Sequence, residues 1–269
     1  MVEIREETAS HPENSGGGDA SNATNTPGPR VSVVDYMKNN AMDTIIFSFR
    51  MLTIIFAIQY ILPSTDASHS KSVYSKAFIA AGVSYAFRLY QRVGGMFSMQ
   101  NLNAMLLQTI FMEDSTHYLL YCFTFPMSTP VTMALIPIVA LSFYNAIGYV
   151  HKLAQETGTG VVFAQKLNDF RAQQSNNILS LVACAEIFNF PVFFALIFTG
   201  RCNIFFPFLY FRFLTFRYSS RRNPHTRLVF ASLKQNLLQV TNHQSCPAIV
   251  RTGILKAINL VEKVAPPVV

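Results

Sequence analysis

Apolar residues fall along this chain in runs long enough to be membrane helices, divided by short polar breaks. Residues 44–62 hold a single charge, Arg50, and stop at Pro63. At 1.5 Å per residue such a run crosses a hydrocarbon core of about 30 Å. Residues 73–92 are weaker and amphipathic, with Lys76, Arg88 and Arg92 towards the ends. Their small-residue spacing (Ala77/Ala81, Gly82/Ala86) lets a neighbouring helix come close. Residues 102–125 read as a helix interrupted by Glu113 and Asp114. From Tyr118 to Val150 no charge occurs, and Pro126 and Pro130 divide that stretch into a hairpin whose second arm is 131–150. Residues 151–177 are polar and are expected to be a water-exposed connection with one amphipathic helix. Residues 178–199 form the next span and hold Glu186 and Pro191. Residues 202–216 are short and aromatic, include Arg212, and fit a re-entrant or interfacial element as well as a span.

The pattern predicts an all-α, polytopic membrane protein built of helical hairpins (44–92, 102–150 and 178–216) within a membrane domain of residues 34–216. The weakest of its six elements are 73–92 and 202–216. Residues 1–33 precede it as a disordered arm, rich in Gly, Ser, Asn and Pro. The arm has no apolar core beside Met1, so no cleaved signal peptide is expected. Its sequon, Asn22-Ala23-Thr24, matters only if the arm is lumenal.

Residues 217–269 predict amphipathic surface helices. Val229, Leu233, Leu237 and Val240 recur at helical spacing, with Arg227 and Lys234 lying away from them. After Pro247 the same holds for Val250, Ile254, Ala257, Ile258 and Val261, with Arg251, Lys256 and Lys263 elsewhere. Neither stretch is apolar enough to span. A basic amphipathic helix can lie among headgroups, or its face can pack on the membrane domain.

Composition supports the membrane class. Apolar residues make up 51% and charged residues 13%, where soluble domains carry about 25% charged. Residues 1–200 hold 11 Lys/Arg against 13 Asp/Glu, a net −2, whereas residues 201–269 hold 10 against one, Glu262, a net +9. The basic excess therefore lies in the tail. Arg217, Arg221 and Arg222 sit where the tail leaves the membrane domain, a placement that suits anionic lipid. Nucleic acid is not expected, because no binding motif accompanies the charge. The basic loops at 88–92 and 152–171 and the basic tail place both termini in the cytosol by the positive-inside rule.

Candidate chemistry is sparse. Cys122, Cys184, Cys202 and Cys246 show no metal spacing and read as small buried hydrophobes. Asp114 and His117 share a helix face, with Glu113 adjacent, but no second His/carboxylate pair completes a metal site. Glu186 inside a span calls for a partner, and Arg50 or Arg212 is the expected one. Arg50, Glu113, Asp114, His117, Glu186 and Arg212 are thus read as intramembrane polar contacts, with no catalytic, cofactor or metal site. An ion or solute pathway through the intramembrane acids is the alternative.

The stretch Phe211-Arg212-Phe213-Leu214-Thr215-Phe216-Arg217-Tyr218-Ser219-Ser220-Arg221-Arg222-Asn223-Pro224 closely resembles the signature of the transmembrane protein 33 family, which includes Krüppel homologue two of insects and pore-membrane proteins of yeasts. Glu113 to Tyr121, Pro130 to Met133, and Asn177-Ile178-Leu179 with Ala183-Cys184 and Glu186-Ile187-Phe188 match further stretches in order. The resemblance runs from about residue 34 to the C-terminus. It implies a non-enzymatic protein of the endoplasmic reticulum and nuclear envelope with three or four spans. It also implies roles in tubular membrane shape, nuclear pore organisation and stress signalling. The implied partners are curved anionic lipid, reticulon-like proteins, nucleoporins, a nuclear transport receptor and further copies of the chain.

Overall fold

A computed structural model describes residues 31–62, 66–94, 109–127, 129–201, 203, 205–220, 224–243 and 246–265. The described residues are helical, with no strand among them. The arm before residue 31, residues 102–108 of the third predicted element, and Arg221 and Arg222 lie outside the described residues.

A short helix α1 (Val33–Asn39) leads through Asn40 into α2 (Ala41–Ile61), the first of three helices long and apolar enough to cross a membrane. Much of α2 is bare, with Ile55, Ile58 and Ile61 more than half exposed. In water such a stripe would be a liability, whereas in lipid it is the expected outer surface. α2 packs along α3 (Ala67–Val93), the hairpin predicted for 44–92. α3 was the weaker arm by sequence because its polar residues dilute the hydropathy. It is nonetheless a 27-residue helix whose Val73, Tyr74, Ala77, Phe78 and Ala81 are sealed in the core.

The second predicted hairpin is corrected. α4 (Asp114–Thr124) has 11 residues, a length of about 17 Å, and does not pair with the helix that follows. Two short 3₁₀ turns, Phe125–Met127 and Thr132–Ala134, carry the chain into α5 (Leu135–Thr157). α5 packs against α2 and against α6 (Val161–Phe198) instead. The expected connection across 151–177 shrinks to three residues. Gly158 (φ 69°) and Gly160 (φ 65°) turn the chain in the left-handed region, and the polar stretch becomes the first half of α6. At 38 residues α6 is about 57 Å long, so it extends well beyond a hydrocarbon core of about 30 Å. Residues 132–157 and α6 complete the three candidate spans among the described residues; of the six predicted membrane elements, 44–62, 131–150 and 178–199 correspond to them.

α7 (Phe205–Ser219) covers the region predicted as 202–216 and is about 22 Å long, shorter than a span. It packs against α4 and α6. α8 (His225–Asn242) lies on α6, and α9 (Ala248–Val264) folds back on α8. The predicted tail boundary at residue 217 therefore falls inside α7, and α8 belongs to the packed body.

The core is aromatic. Tyr121 of α4 and Phe125 of the turn after it lie with Phe78, Phe193, Tyr210 and Phe213, the ring centroids of Tyr121 and Phe125 being 4.5 Å apart and those of Phe193 and Tyr210 5.0 Å. Between helices already in lipid, close contact and hydrogen bonds hold the bundle more than water exclusion does.

Candidate functional site

Charged residues gather at one end of the bundle. There α2 begins, α3 ends, α4 begins and α7 ends. Gln91 Nε2 donates to Asp43 Oδ1 (2.8 Å), and Arg92 Nη1 donates to Glu113 Oε2 (2.7 Å). At the opposite end lie two uncharged links: the Tyr60 and Thr132 hydroxyls are 3.3 Å apart, and Tyr74 Oη meets the Val131 carbonyl at 3.3 Å.

Beneath the charged end sits a buried network around Glu186. Tyr118 Oη donates to Glu186 Oε1 (2.5 Å), and Arg217 Nε donates to Glu186 Oε2 (3.1 Å). Arg217 Nη1 continues to Asp114 Oδ1 (3.3 Å), which also accepts from Ser220 Oγ (3.1 Å). Glu186 is 0% exposed and Arg217 1%. The Tyr118 ring lies under the Arg217 guanidinium, 4.9 Å from its centroid. Tyr210 Oη donates to the Glu186 carbonyl (2.7 Å), one residue before Ile187, whose carbonyl loses its helical donor to Pro191. The network thus ties α4, α6 and α7 together, and burying its charges is tolerable because each is paired and hydrogen-bonded.

Two expectations change here. Glu186 is partnered by Arg217, not by Arg50 or Arg212. Arg50 is buried on α2, while Arg212 is exposed, its guanidinium 5.2 Å from the Phe216 ring centroid. Arg217, expected at the lipid surface, is a core residue. Its spacing held the signal: it follows the buried Tyr210, Phe213 and Leu214 by seven, four and three residues, so it shares their stripe. His117 stands beside Asp114 (Nδ1 to Oδ1, 3.8 Å). It stacks on Phe216 and shares a 2.7 Å hydrogen bond with the Phe111 carbonyl through Nε2. Among the described residues no group of three His, Cys, Asp or Glu side chains could hold a metal ion.

Above the network opens a cavity of about 380 Å³ between α3, α4, α5, α6 and α7. Arg88, Arg92, Arg171 and Arg217 line it, with Asp114 the lone acidic residue of the lining. The Arg171 guanidinium stacks over Tyr144 at 4.3 Å from the ring centroid. Gly148 makes room for it, since a Cβ there would lie 2.8 Å from Arg171 Nη1. Glu186 is not part of the lining.

The predicted surface residues of the tail divide. On α8, Val229 and Leu233 pack against the core and Leu237 is half-buried. The face expected at lipid is here largely a packing face. His225, at the start of α8, lies 3.4 Å from Ser180 Oγ through Nδ1. Burial, and then the nearby Arg217 charge, push its pKa below the usual 6.5. Arg227 Nη2 reaches the Ser220 carbonyl (3.5 Å). On α9, Arg251 Nε donates to the Thr241 carbonyl (2.8 Å), and Lys234 of α8 pairs with Glu262. These contacts turn the Ile254 and Ile258 side towards α8, where both are half-buried. The adjoining strip stays bare: Ile249 is 87% exposed, Leu260 64%, Val261 51% and Val250 48%. Lys256 is exposed on the far side of that strip.

A polytopic helical body closed by a packed α8 and an amphipathic α9 matches one known family model. The model described as "Transmembrane protein 33/Nucleoporin POM33" matches residues 25–267. This chain belongs to that family. A transmembrane protein 33 homolog of Caenorhabditis elegans is 39% identical over 237 residues, covering 88% of this chain and 86% of the relative. Human transmembrane protein 33 is 34% identical, covering 91% and 99%. Krueppel homolog 2 of Drosophila melanogaster is 32% identical, covering 87% and 82%. No solved structure matches the chain. The family match spans the Glu186 network, the basic cavity and both tail helices.

Proposed function

We propose that this transmembrane protein 33 family member is a non-enzymatic membrane-shaping scaffold of the endoplasmic reticulum and nuclear envelope, with both termini in the cytosol. The observation that carries this reading is the bare apolar strip of α9, flanked by Lys256 and held beside the membrane domain by the packing of α8. A strip of that kind embeds in the headgroup region and adds area to one leaflet. The short helices α4 and α7 act in the same direction. Their charged ends, Asp114 and Arg217, meet at one end of the bundle, and their lengths of about 17 and 22 Å fall short of the core. They therefore widen the protein in one leaflet and make it a wedge.

Scaffolding of reticulon-like proteins, nucleoporins or a transport receptor, with roles in reticulum organisation, pore organisation and stress signalling, belongs to the same proposal. Its support is family membership and the basic surface of the tail. A solute pathway has no comparable support, because the Glu186 carboxylate is committed to Tyr118 and Arg217 and does not line the basic cavity.

Reconstitution of the full chain into large anionic vesicles tests the reading. The wild-type chain is expected to tubulate or shrink them. An Ile249→Asp/Leu260→Asp variant, which alters exposed positions only, is expected to insert equally and deform them far less. Equal deformation by both, or none by the wild type, overturns the proposal.

A further inference from the structure

We propose that the basic cavity between α3, α4, α5, α6 and α7 is a binding site for a phosphate-bearing ligand, either an anionic lipid headgroup or a soluble phosphate ester. The cavity volume, about 380 Å³, lies in the range of small-molecule sites. Four arginines line it against one carboxylate, Asp114. Two further acids pair with these arginines from outside the lining, Glu113 with Arg92 and Glu186 with Arg217.

A second observation points to a ligand. Arg217 is 1% exposed, yet its Nη2 has no hydrogen-bond partner among the described residues. Its Nε and Nη1 are fixed by Glu186 and Asp114, so the guanidinium is held in one orientation with the Nη2 amino group left over. A buried charged donor without an acceptor is costly, and a phosphate oxygen entering the cavity would satisfy it. Arg171 is likewise presented in a set orientation, stacked on Tyr144 over Gly148. Planar guanidinium forks suit phosphate oxygens better than an ammonium does. Asn145 and Asn168, also in the lining, add neutral amides suited to hydroxyl groups.

The position fits a headgroup. The cavity lies at the charged end of the bundle, beside the half of α6 that extends past the core. Basic pockets between membrane helices at such depth take anionic headgroups.

The test uses the full chain in phosphatidylcholine nanodiscs. One arm adds a phosphatidylinositol phosphate to the discs, and the other titrates soluble inositol trisphosphate. Binding is read directly and by the rise in melting temperature. Saturable binding in the lipid arm alone assigns the site to a headgroup, and binding in both arms assigns it to the phosphate ester itself. The Arg88→Gln/Arg171→Gln variant is expected to lose about 30-fold in affinity, the effect of two headgroup-facing cations. Asn168→Asp, a half-buried rim change that adds a repelling charge, is expected to weaken binding by about 5-fold, the effect of one such charge. Tail variant Ile249→Asp/Leu260→Asp is expected to bind normally, which separates this site from the curvature reading. The proposal is overturned if neither arm binds, or if Arg88→Gln/Arg171→Gln and Asn168→Asp both bind like the wild type.

Discussion

The Glu186–Arg217 pair allows the sharpest test of how the bundle is held. Both side chains are sealed from solvent, and they meet at 3.1 Å. Removing one member of such a pair leaves an uncompensated buried charge, at a cost of about 3–5 kcal/mol. The two members are not equivalent here. Arg217→Met leaves the Glu186 carboxylate with Tyr118 as its hydrogen-bonding side chain, at zero exposure. It also strips a cation from Asp114. Glu186→Gln keeps an acceptor for Tyr118 and leaves Arg217 its second carboxylate, Asp114, at 3.3 Å.

Arg217→Met is therefore expected to cost about 3–5 kcal/mol. Glu186→Gln, which removes a charge-assisted bond but not the whole compensation, is expected to cost about 1.5–3 kcal/mol. In the double variant neither charge is stranded, so its cost is expected to fall below the sum of the singles by about 1–3 kcal/mol. Unfolding of the full chain, titrated by denaturing detergent from mild micelles and followed by near-ultraviolet circular dichroism of the core tyrosines, measures all four corners of the cycle. Additivity within about 0.5 kcal/mol, or a Glu186→Gln variant less stable than Arg217→Met, would refute the reasoning.

Other outcomes follow from single positions. Gly160 has φ 65° and no atom within 4 Å of an added Cβ, so Gly160→Ala should lose about 1–2 kcal/mol from backbone strain alone, read in the same titration. Gly148→Ala should change stability by less than about 1 kcal/mol, since a helix-propensity gain offsets the Arg171–Tyr144 contact it disturbs. Its phosphate affinity should nonetheless fall, because Arg171 is displaced. His225 is held below its usual pKa of 6.5 by burial and by Arg217, so the fold favours the neutral ring. Its contribution is present above pH 6.5 and is lost as pH falls through the lower folded value. Amide exchange at the start of α8 should accelerate over that range in the wild type but not in His225→Asn, and parallel pH profiles would contradict this.

The three candidate spans were legible because lipid-facing helices are written in long apolar runs. α3 is harder to read, since its polar residues dilute its hydropathy while finding their own places: Ser84 bonds the Ala81 carbonyl, Lys76 is exposed and Arg92 pairs with Glu113. The second hairpin follows from chain order alone, and packing does not follow chain order here. Pro126 and Pro130 do break the chain, but the helix that follows finds its partner across Gly158-Thr159-Gly160. The polar stretch 151–177 suggests a connection with one amphipathic helix of its own, whereas its residues extend the two neighbouring long helices up to Gly158 and from Val161. The partner of Glu186 was missed for a related reason. Arg217 was grouped with Arg221 and Arg222 by proximity in sequence, while helical spacing aligned it with Tyr210, Phe213 and Leu214.

That regrouping alters what the basic excess means physically. Arg212 and Arg217, five residues apart on α7, face different environments, the first exposed and the second buried. Arg217 points inward, pairs with both Glu186 and Asp114, and keeps Nη2 without a partner among the described residues. The cations of α8 and α9 tie the tail hairpin together through Arg251 and Lys234, or flank the bare strip, as Lys256 does. Losing surface cations should therefore weaken membrane contact by an increment each, and salt should screen that effect. Losing Arg217 should not behave as an increment, because it removes the charge balance on which α4, α6 and α7 are assembled. Salt dependence thus separates the roles: strong for deformation of vesicles by the tail, weak for the stability carried by the buried pair.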